Sequence, residues 1–358
     1  CPPPFPAPAP FRPDPGPAGA AEVRPKEARA ARGGEHEEQV RPRGGRPPAA
    51  RAAVACAAGV VVRLPAEEAK ARFAGELDGY LYARYGNPTV TMFENRMALN
   101  EGSESCFAAA SGMAAVFASL MSYLKSGDHI VSSRSLFGSC YYILDQVLPH
   151  YGITTHLIDG TDLSQWEKHV TNKTKCIFLE SPSNPTMEII DIKSVAKIAH
   201  QHNALVIVDN ILASPVLQKP MQFGADIVVY SGTKHIDGQG RSIGGAILSS
   251  KQHYEEYLKP FIRHTGPTLS PFNAWVLLKG LETLKHRMDQ HCHNAHKIAN
   301  YLLQHPKVEK TIYPSLKNHP QHALANKQML RSEEHTSELQ SLVNLVCRLL
   351  LEKKKIKK

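Results

Sequence analysis

The chain predicts an α/β fold built on a mostly parallel sheet, and three observations carry that expectation. Apolar, β-branched runs such as 204–209 and 226–231 are continuous rather than alternating, as strands buried on both faces are. Helical patterns separate the runs, so successive strands are joined by crossover helices. The runs end in polar residues, Asp209-Asn210 and Ser231-Gly232-Thr233-Lys234. Open α/β sheets place their ligands at that C-terminal edge.

Taken in order, the pattern predicts a strand over 107–110. Ser111-Gly112-Met113 then opens a helix through 114–124, which stops at Ser126-Gly127. A strand over 129–132 and a helix near 140–150 follow. Strands are expected near 154–158, 176–180 and 204–209, with a helix over 192–202 between the last two. Strands over 226–231 and 245–248 complete the sheet. From about Lys251 the pattern turns helical, with helices over 273–290 and 291–304. A new α/β unit is expected to open with a strand at 308–313.

The ends stand apart from this body. The first 50 residues hold 13 of the 26 prolines, a low-complexity composition unable to bury a core. They show no apolar stretch of a secretory signal, and the acidic cluster at 35–38 argues against a transit peptide. Residues 331–341 read as an in-frame translation of a sequencing-library adapter. The apolar run at 342–351 is too short and interrupted to span a bilayer. The expected organisation is therefore a non-native or disordered segment over 1–58, a large domain over 59–260, the opening of a C-terminal domain over 261–329, and an artefact-like tail over 330–358.

The formal net charge of +9 is concentrated at the ends, where residues 1–58 and 331–358 each carry +3. The body lacks the basic stripe that nucleic-acid binding requires. Seven scattered cysteines without a CxxC pair suit a reducing, cytoplasmic setting rather than a disulfide scaffold. Among the 18 histidines, the group His286, His291, His293 and His296 has no HExxH pattern or cysteine partner and reads as a polar helix face. No metal site is expected.

Four constellations carry chemistry. Lys234 follows a strand beside a Ser231-x-Thr233 hydroxyl pair, with Asp209 one strand earlier. Pyridoxal 5'-phosphate needs this set: an amine for a Schiff base, hydroxyls for its phosphate and an acid for its ring nitrogen. Alone, Lys234 reads as a solvated loop lysine and Asp209 as a helix cap. Ser111-Gly112-Met113 lies between a strand and a helix, where free N–H groups and the helix dipole attract anions; a simple Ser cap is its plainer reading. In Glu180-Ser-Pro-Ser-Asn184-Pro185, two prolines fix a turn that aims Asn184 from a strand end. Tyr82 and Arg84 precede the first core helix, Arg84 as a phosphate clamp and Tyr82 as a donor.

The motifs YxRYxNPT (82–89), SGM (111–113), ESPSNP (180–185), VDN (208–210) and SGTKHIDGQGR (231–241) occur in one order. In that order they resemble the cysteine/methionine-metabolism family of pyridoxal-phosphate enzymes over residues 60–329. The resemblance implies a fold-type-I, aspartate-aminotransferase-like large domain with an incomplete C-terminal α/β domain. Residues 136–138 and 231–241 are most similar to the branch that converts O-succinylhomoserine and sulfide to homocysteine. Neighbouring branches are the O-acetylhomoserine sulfhydrylases, cystathionine γ-synthases and the methionine and cystathionine γ-lyases. An inactive fragment is the non-enzyme alternative.

By resemblance, Lys234 carries the cofactor and moves protons, while Asp209 pairs with the ring nitrogen. Ser231, Thr233, Ser111, Gly112 and Met113 hold the phosphate, and Asn184 touches the cofactor and substrate. Tyr82 and Arg84 reach the phosphate of a neighbouring subunit, which implies a homodimer and, by analogy, a tetramer. Phe137 stacks on the ring where many relatives place a tyrosine, and it lacks the hydroxyl to act as an acid. Proton transfer assigned to that tyrosine elsewhere then falls to Lys234 or Tyr82. The family's substrate-carboxylate arginine lies in the C-terminal domain, and no residue before 329 matches it, so poor turnover by the chain as written is expected.

Overall fold

The computed structural model describes residues 65–329, Gly75 excepted. The segment 1–58 and the tail 330–358 lie outside the described residues. A helix α1 (Ala66–Ala74) precedes α2 (Pro88–Glu101). Asn87 caps α2 by accepting from Thr89 N at 2.9 Å, Pro88 supplies the first turn, and Gly102 closes the helix at φ 86°. The left-handed Gly102 is the usual device for ending a helix without a Cβ clash.

The expected strands form one seven-stranded sheet: β1 (Ser105–Ala109), β2 (His129–Ser133), β3 (Thr154–Ile158), β4 (Thr174–Glu180), β5 (Leu205–Asp209), β6 (Ile227–Ser231) and β7 (Gly245–Ser249). Their order is β1-β7-β6-β5-β4-β2-β3. β7 runs antiparallel to both neighbours, and every other pairing is parallel. The crossovers hold α3 (Gly112–Met121), α4 (Gly138–Tyr142), α5 (Leu163–His169), α6 (Ile192–Gln201) and the single turn α7 (Ser214–Leu217). The helix expected near 140–150 is broken, continuing from α4 through a π segment to a 3-10 turn that ends at Gly152.

Both faces of the sheet are buried, which explains the continuous apolar runs. Ile177, Leu179, Val206, Val208 and Val228 pack with Phe93, Met97 and Trp166 on one face. Cys176, Phe178, Ile207, Ile227 and Val229 pack with Ala115, Leu120 and Cys140 on the other. Because side chains alternate along a strand, Glu180, Asp209 and Ser231 all belong to this second face, with α3 and α4.

After β7 come α8 (Lys251–His253), α9 (Lys259–Thr265), α10 (Pro271–Glu282), α11 (Leu284–Leu303) and α12 (His322–Gln328). The expected helix boundary at 290–291 is corrected: the break falls at Thr283, and α11 runs unbroken through the histidine group. No glycine or proline interrupts 284–303, and Cys292, Ala295 and Ala299 give this helix a buried face. The strand expected at 308–313 is also corrected, since no strand element forms there among the described residues. Tyr313 and Leu316 pack instead against Ala295, Ala299, Met187 and Leu212.

Candidate active site

β7 brings two loops together. Its first residue, Gly245, pairs with Ala109 at the end of β1 on one side and with Ser231 at the end of β6 on the other. A Cβ at Gly245 would strike the Ser111 carbonyl, and a Cβ at Gly112 would stand 2.6 Å from Ser231 Cβ and 2.9 Å from its hydroxyl. The start of α3 and Ser231 are therefore in van der Waals contact. Ser111 caps α3, its hydroxyl accepting from Ala114 N at 3.0 Å. The remaining first-turn N–H groups, beginning with Gly112 and Met113, have no intrahelical acceptor. Their place beside the Ser231 hydroxyl makes an anion cradle.

Lys234 sits in the turn after Ser231. The backbone forms a π segment over Gly232–Ile236, with Lys234 at φ −90°, ψ −113°, outside helical values. Its side chain is exposed. Gly232 N donates to Gly244 O at 2.8 Å, and Gly244 N donates to the Thr233 hydroxyl at 3.2 Å, so Thr233 is pinned across the loop. Behind the lysine, Arg287 on α11 donates to three carbonyls: His235 at 2.6 Å, Ile236 at 3.1 Å and Gly280 at 2.7 Å. His235 is buried with an unpartnered Nε2. Burial above all, then His291, Arg287 and Lys234, push its pKa down to about 4, so it is neutral.

Asp209 is fully buried at the end of β5. Its Oδ1 accepts from Ile211 N at 3.1 Å, and the Cys140 thiol approaches its Oδ2 at 3.9 Å. Burial raises its pKa to about 7. Glu180, at the end of β4, is paired in register with Asp209. It accepts from Phe137 N at 2.6 Å and from the Asn184 backbone, and burial followed by the Asp209 charge pushes its pKa well up. Asn184 itself is half-buried between two cis peptide bonds, Ser181-Pro182 and Asn184-Pro185. Phe137, partly exposed, precedes α4, and its backbone N–H bonds the Glu180 carboxylate.

Tyr82 and Arg84 make a separate set of contacts. Arg84 donates to the Arg263 carbonyl and lies over the rings of Tyr82 at 5.2 Å and Tyr85 at 4.7 Å. Arg263 stacks on Tyr85 at 4.2 Å. A hydrogen bond from Arg263 leads the influences that lower the Tyr85 phenol pKa. Tyr82 is exposed.

The structure thus joins Ser111, Gly112 and Ser231 in one cluster, Phe137 and Asn184 with the Glu180–Asp209 pair in another, and carries Lys234 on the turn that follows Ser231. Sequence reasoning quoted Glu180 without giving it a role and passed over Cys140, Gly245 and Arg287. Only Glu180 carried a local signal, an acid at a strand end aligned with Asp209; the others are identified by long-range contacts. The groups present fit pyridoxal phosphate. Asp209 is a buried carboxylate suited to a cationic ring nitrogen, and the glycine-lined cradle is one that a Cβ at 112 or 245 would fill.

Comparison with known proteins agrees. The family model described as Cys/Met metabolism PLP-dependent enzyme matches residues 51–340. An O-succinylhomoserine sulfhydrylase of Mycobacterium tuberculosis is 52% identical over 261 residues, 73% of this chain and 64% of that protein. An L-methionine gamma-lyase of Fusobacterium nucleatum is 40% identical over 266 residues, 74% of this chain and 67% of that protein. The crystal structure of metB from Corynebacterium glutamicum superposes with a TM-score of 0.69 at 40% identity, covering 71% of this chain and 66% of that one. The chain spans less than two thirds of the length of the sulfhydrylase it matches. With its motifs in order, its mixed sheet, its buried acid and its glycine-lined cradle, the chain belongs to the Cys/Met-metabolism family of pyridoxal-phosphate-dependent enzymes.

Proposed function

We propose that this chain is the cofactor-binding part of an O-succinylhomoserine sulfhydrylase, which exchanges the succinyloxy group of its substrate for sulfide and yields homocysteine. The observation that carries the reading is the 52% identity to a sulfhydrylase over 261 residues, 73% of this chain. When bound, pyridoxal phosphate supplies an electron sink for charge released at the substrate α-carbon. Lys234 Nζ is the group that takes and returns the α-proton. Asp209 holds negative charge at the ring nitrogen. Gly112, Met113, Ser111, Ser231 and Thr233 form the phosphate cradle, with the Ser111 hydroxyl contributing as the cap that orients the turn. Phe137 covers the ring and, without a hydroxyl, leaves proton transfer to Lys234 and Tyr82. Asn184 orients the substrate side.

The exposed Tyr82 and the Arg84 cluster are assigned to the site of a neighbouring subunit in a homodimer, itself half of a tetramer. The described cysteines Cys106, Cys140, Cys176 and Cys292 are buried and form no disulfide, which suits the reducing cytosol. Among the described residues, no helix is long and apolar enough to cross a membrane. A γ-lyase is the second reading, favoured by the 40% identity to a methionine gamma-lyase.

The test begins with the visible absorption of the purified chain mixed with pyridoxal phosphate, before and after borohydride, with Lys234→Ala alongside. A borohydride-sensitive band lost in the variant supports the cofactor and lysine assignments; no band in folded protein sinks them for this chain. Homocysteine formation requiring both O-succinylhomoserine and sulfide then supports the sulfhydrylase, whereas release of a keto acid and thiol from methionine would replace it with the lyase. Preference for the O-acetyl ester would change the acyl group.

A further inference from the structure

The Glu180–Asp209 pair is not explained by cofactor binding through Asp209 alone. The two residues are direct Cα partners on adjacent parallel strands, β4 and β5, and both point to the α3–α4 face. Glu180 is 2% exposed and Asp209 0%. Among the described residues, neither forms a salt bridge. Two ionised carboxylates here would be penalised twice, by desolvation and by mutual repulsion. The other titratable group facing them, Cys140 from α4, is held as the neutral thiol by burial first and then by the two acids. It offers no compensating positive charge.

The two partners are not equivalent. Asp209 accepts from the Ile211 amide and the Cys140 thiol. Glu180 accepts from Phe137 N at 2.6 Å and so ties β4 to the residue that opens α4. A pyridinium nitrogen brings one positive charge, so a pair carrying one negative charge matches it and a pair carrying two does not.

We propose, resting on the pyridoxal-phosphate reading, that Glu180 is a positioning residue of the cofactor site: it is the protonated member of a one-charge carboxylate pair with Asp209, and it anchors the main chain of Phe137 to that pair. Asp209 then carries the single charge. Glu180 neither touches the substrate nor transfers a proton to it. It fixes how much charge lies beneath the ring and how the aromatic cover is held over it.

The test uses the full chain, first without cofactor. Infrared difference spectra of wild type against Glu180→Gln, recorded above the Asp209 value of about 7 so that Asp209 is ionised, should show the carbonyl stretch of a protonated carboxylic acid, present in wild type and lost in the variant. No such band in wild type, or its survival in the variant, would overturn the proposal. This readout does not need pyridoxal phosphate, so it stands even if the cofactor reading fails. The second arm titrates pyridoxal phosphate into wild type, Glu180→Ala and Glu180→Gln. Alanine is expected to weaken binding about tenfold or more, because the Phe137 amide loses its acceptor. The neutral, similarly shaped Gln should rescue affinity to within about threefold of wild type. Equal loss in both variants would mean that Glu180 acts through a negative charge, and would reject the pair as described. If the alanine variant fails to fold, the infrared comparison with Gln still decides.

Discussion

Gly112 and Ser231 touch across the sheet edge so closely that a Cβ on Gly112 would stand 2.6 Å from the Ser231 Cβ. The contact joins the end of β1 to the end of β6 through the antiparallel β7.

Gly112→Ala should therefore push Ser231 out of place. Overpacking of this kind costs about 1–3 kcal/mol. The expected outcome is a stability loss in that range with pyridoxal-phosphate affinity reduced at least tenfold. Urea unfolding and cofactor titration measure the two effects separately, and unchanged affinity would remove Gly112 from the cradle.

Arg287 holds three carbonyls beneath the Lys234 turn. A hydrogen bond to a charged group contributes about 1.5–3 kcal/mol, and truncation leaves the acceptors unmet. Arg287→Ala should lose about 2–3 kcal/mol and slow borohydride trapping of the cofactor on Lys234. Arg287→Lys should recover less than half of this, since an ammonium lacks the planar fork. Full recovery by lysine would reduce the role to charge alone.

Glu101 is buried at the end of α2, accepting from the Tyr230 hydroxyl at 2.5 Å and from Met221 N at 3.3 Å. Burial raises its pKa to about 7 despite both bonds. A carboxyl raised on folding binds its proton more tightly in the folded state. Its contribution is present in full below the unfolded value, near ~4.3, and is lost as pH rises through about 7, with a slope of up to ~1.4 kcal/mol per pH unit. Relative to wild type, Glu101→Gln should gain stability as pH rises from 5 to 7. Urea midpoints across that range test it; a constant difference would place the proton elsewhere.

Gln328 on α12 reaches back into the body. Its side chain accepts from Ile192 N at 3.0 Å and donates to Ile190 O at 3.0 Å and to the Gln218 side chain at 3.1 Å. Gln218 in turn bonds Asn210, the residue after Asp209, at 2.8 Å. Gln328→Ala should cost about 1–3 kcal/mol through unsatisfied buried groups. Hydrogen exchange at Ile192 should rise with it, and unaltered exchange would show that the bond is not used.

Local sequence carried most of the strands. Runs 204–209 and 226–231 announce themselves because both faces of these strands are buried, whereas 154–158 forms the partly exposed edge strand; the observed β3, β5 and β6 match the three runs to within one residue. The break at Thr283 and the loop at 308–313 were not legible. The helical pattern runs on both sides of the weak formers Gly280 and Thr283, and packing of Met288, Cys292 and Ala295 carries α11 unbroken through 290–291. At 308–313 the β-branched residues lacked a neighbouring strand, and burial against α11 prevailed.

The sequence by itself determined which residues bring chemistry: an amine at 234, an acid at 209, hydroxyls at 231 and 233, and a glycine at 112, each at the end of a readable element. The tertiary structure decided which of these meet. Local propensity sets element type over a few residues, whereas strand order and register are long-range choices. Only the β4–β5 pairing seats Glu180 beside Asp209, and only the antiparallel β7 closes Gly112 onto Ser231.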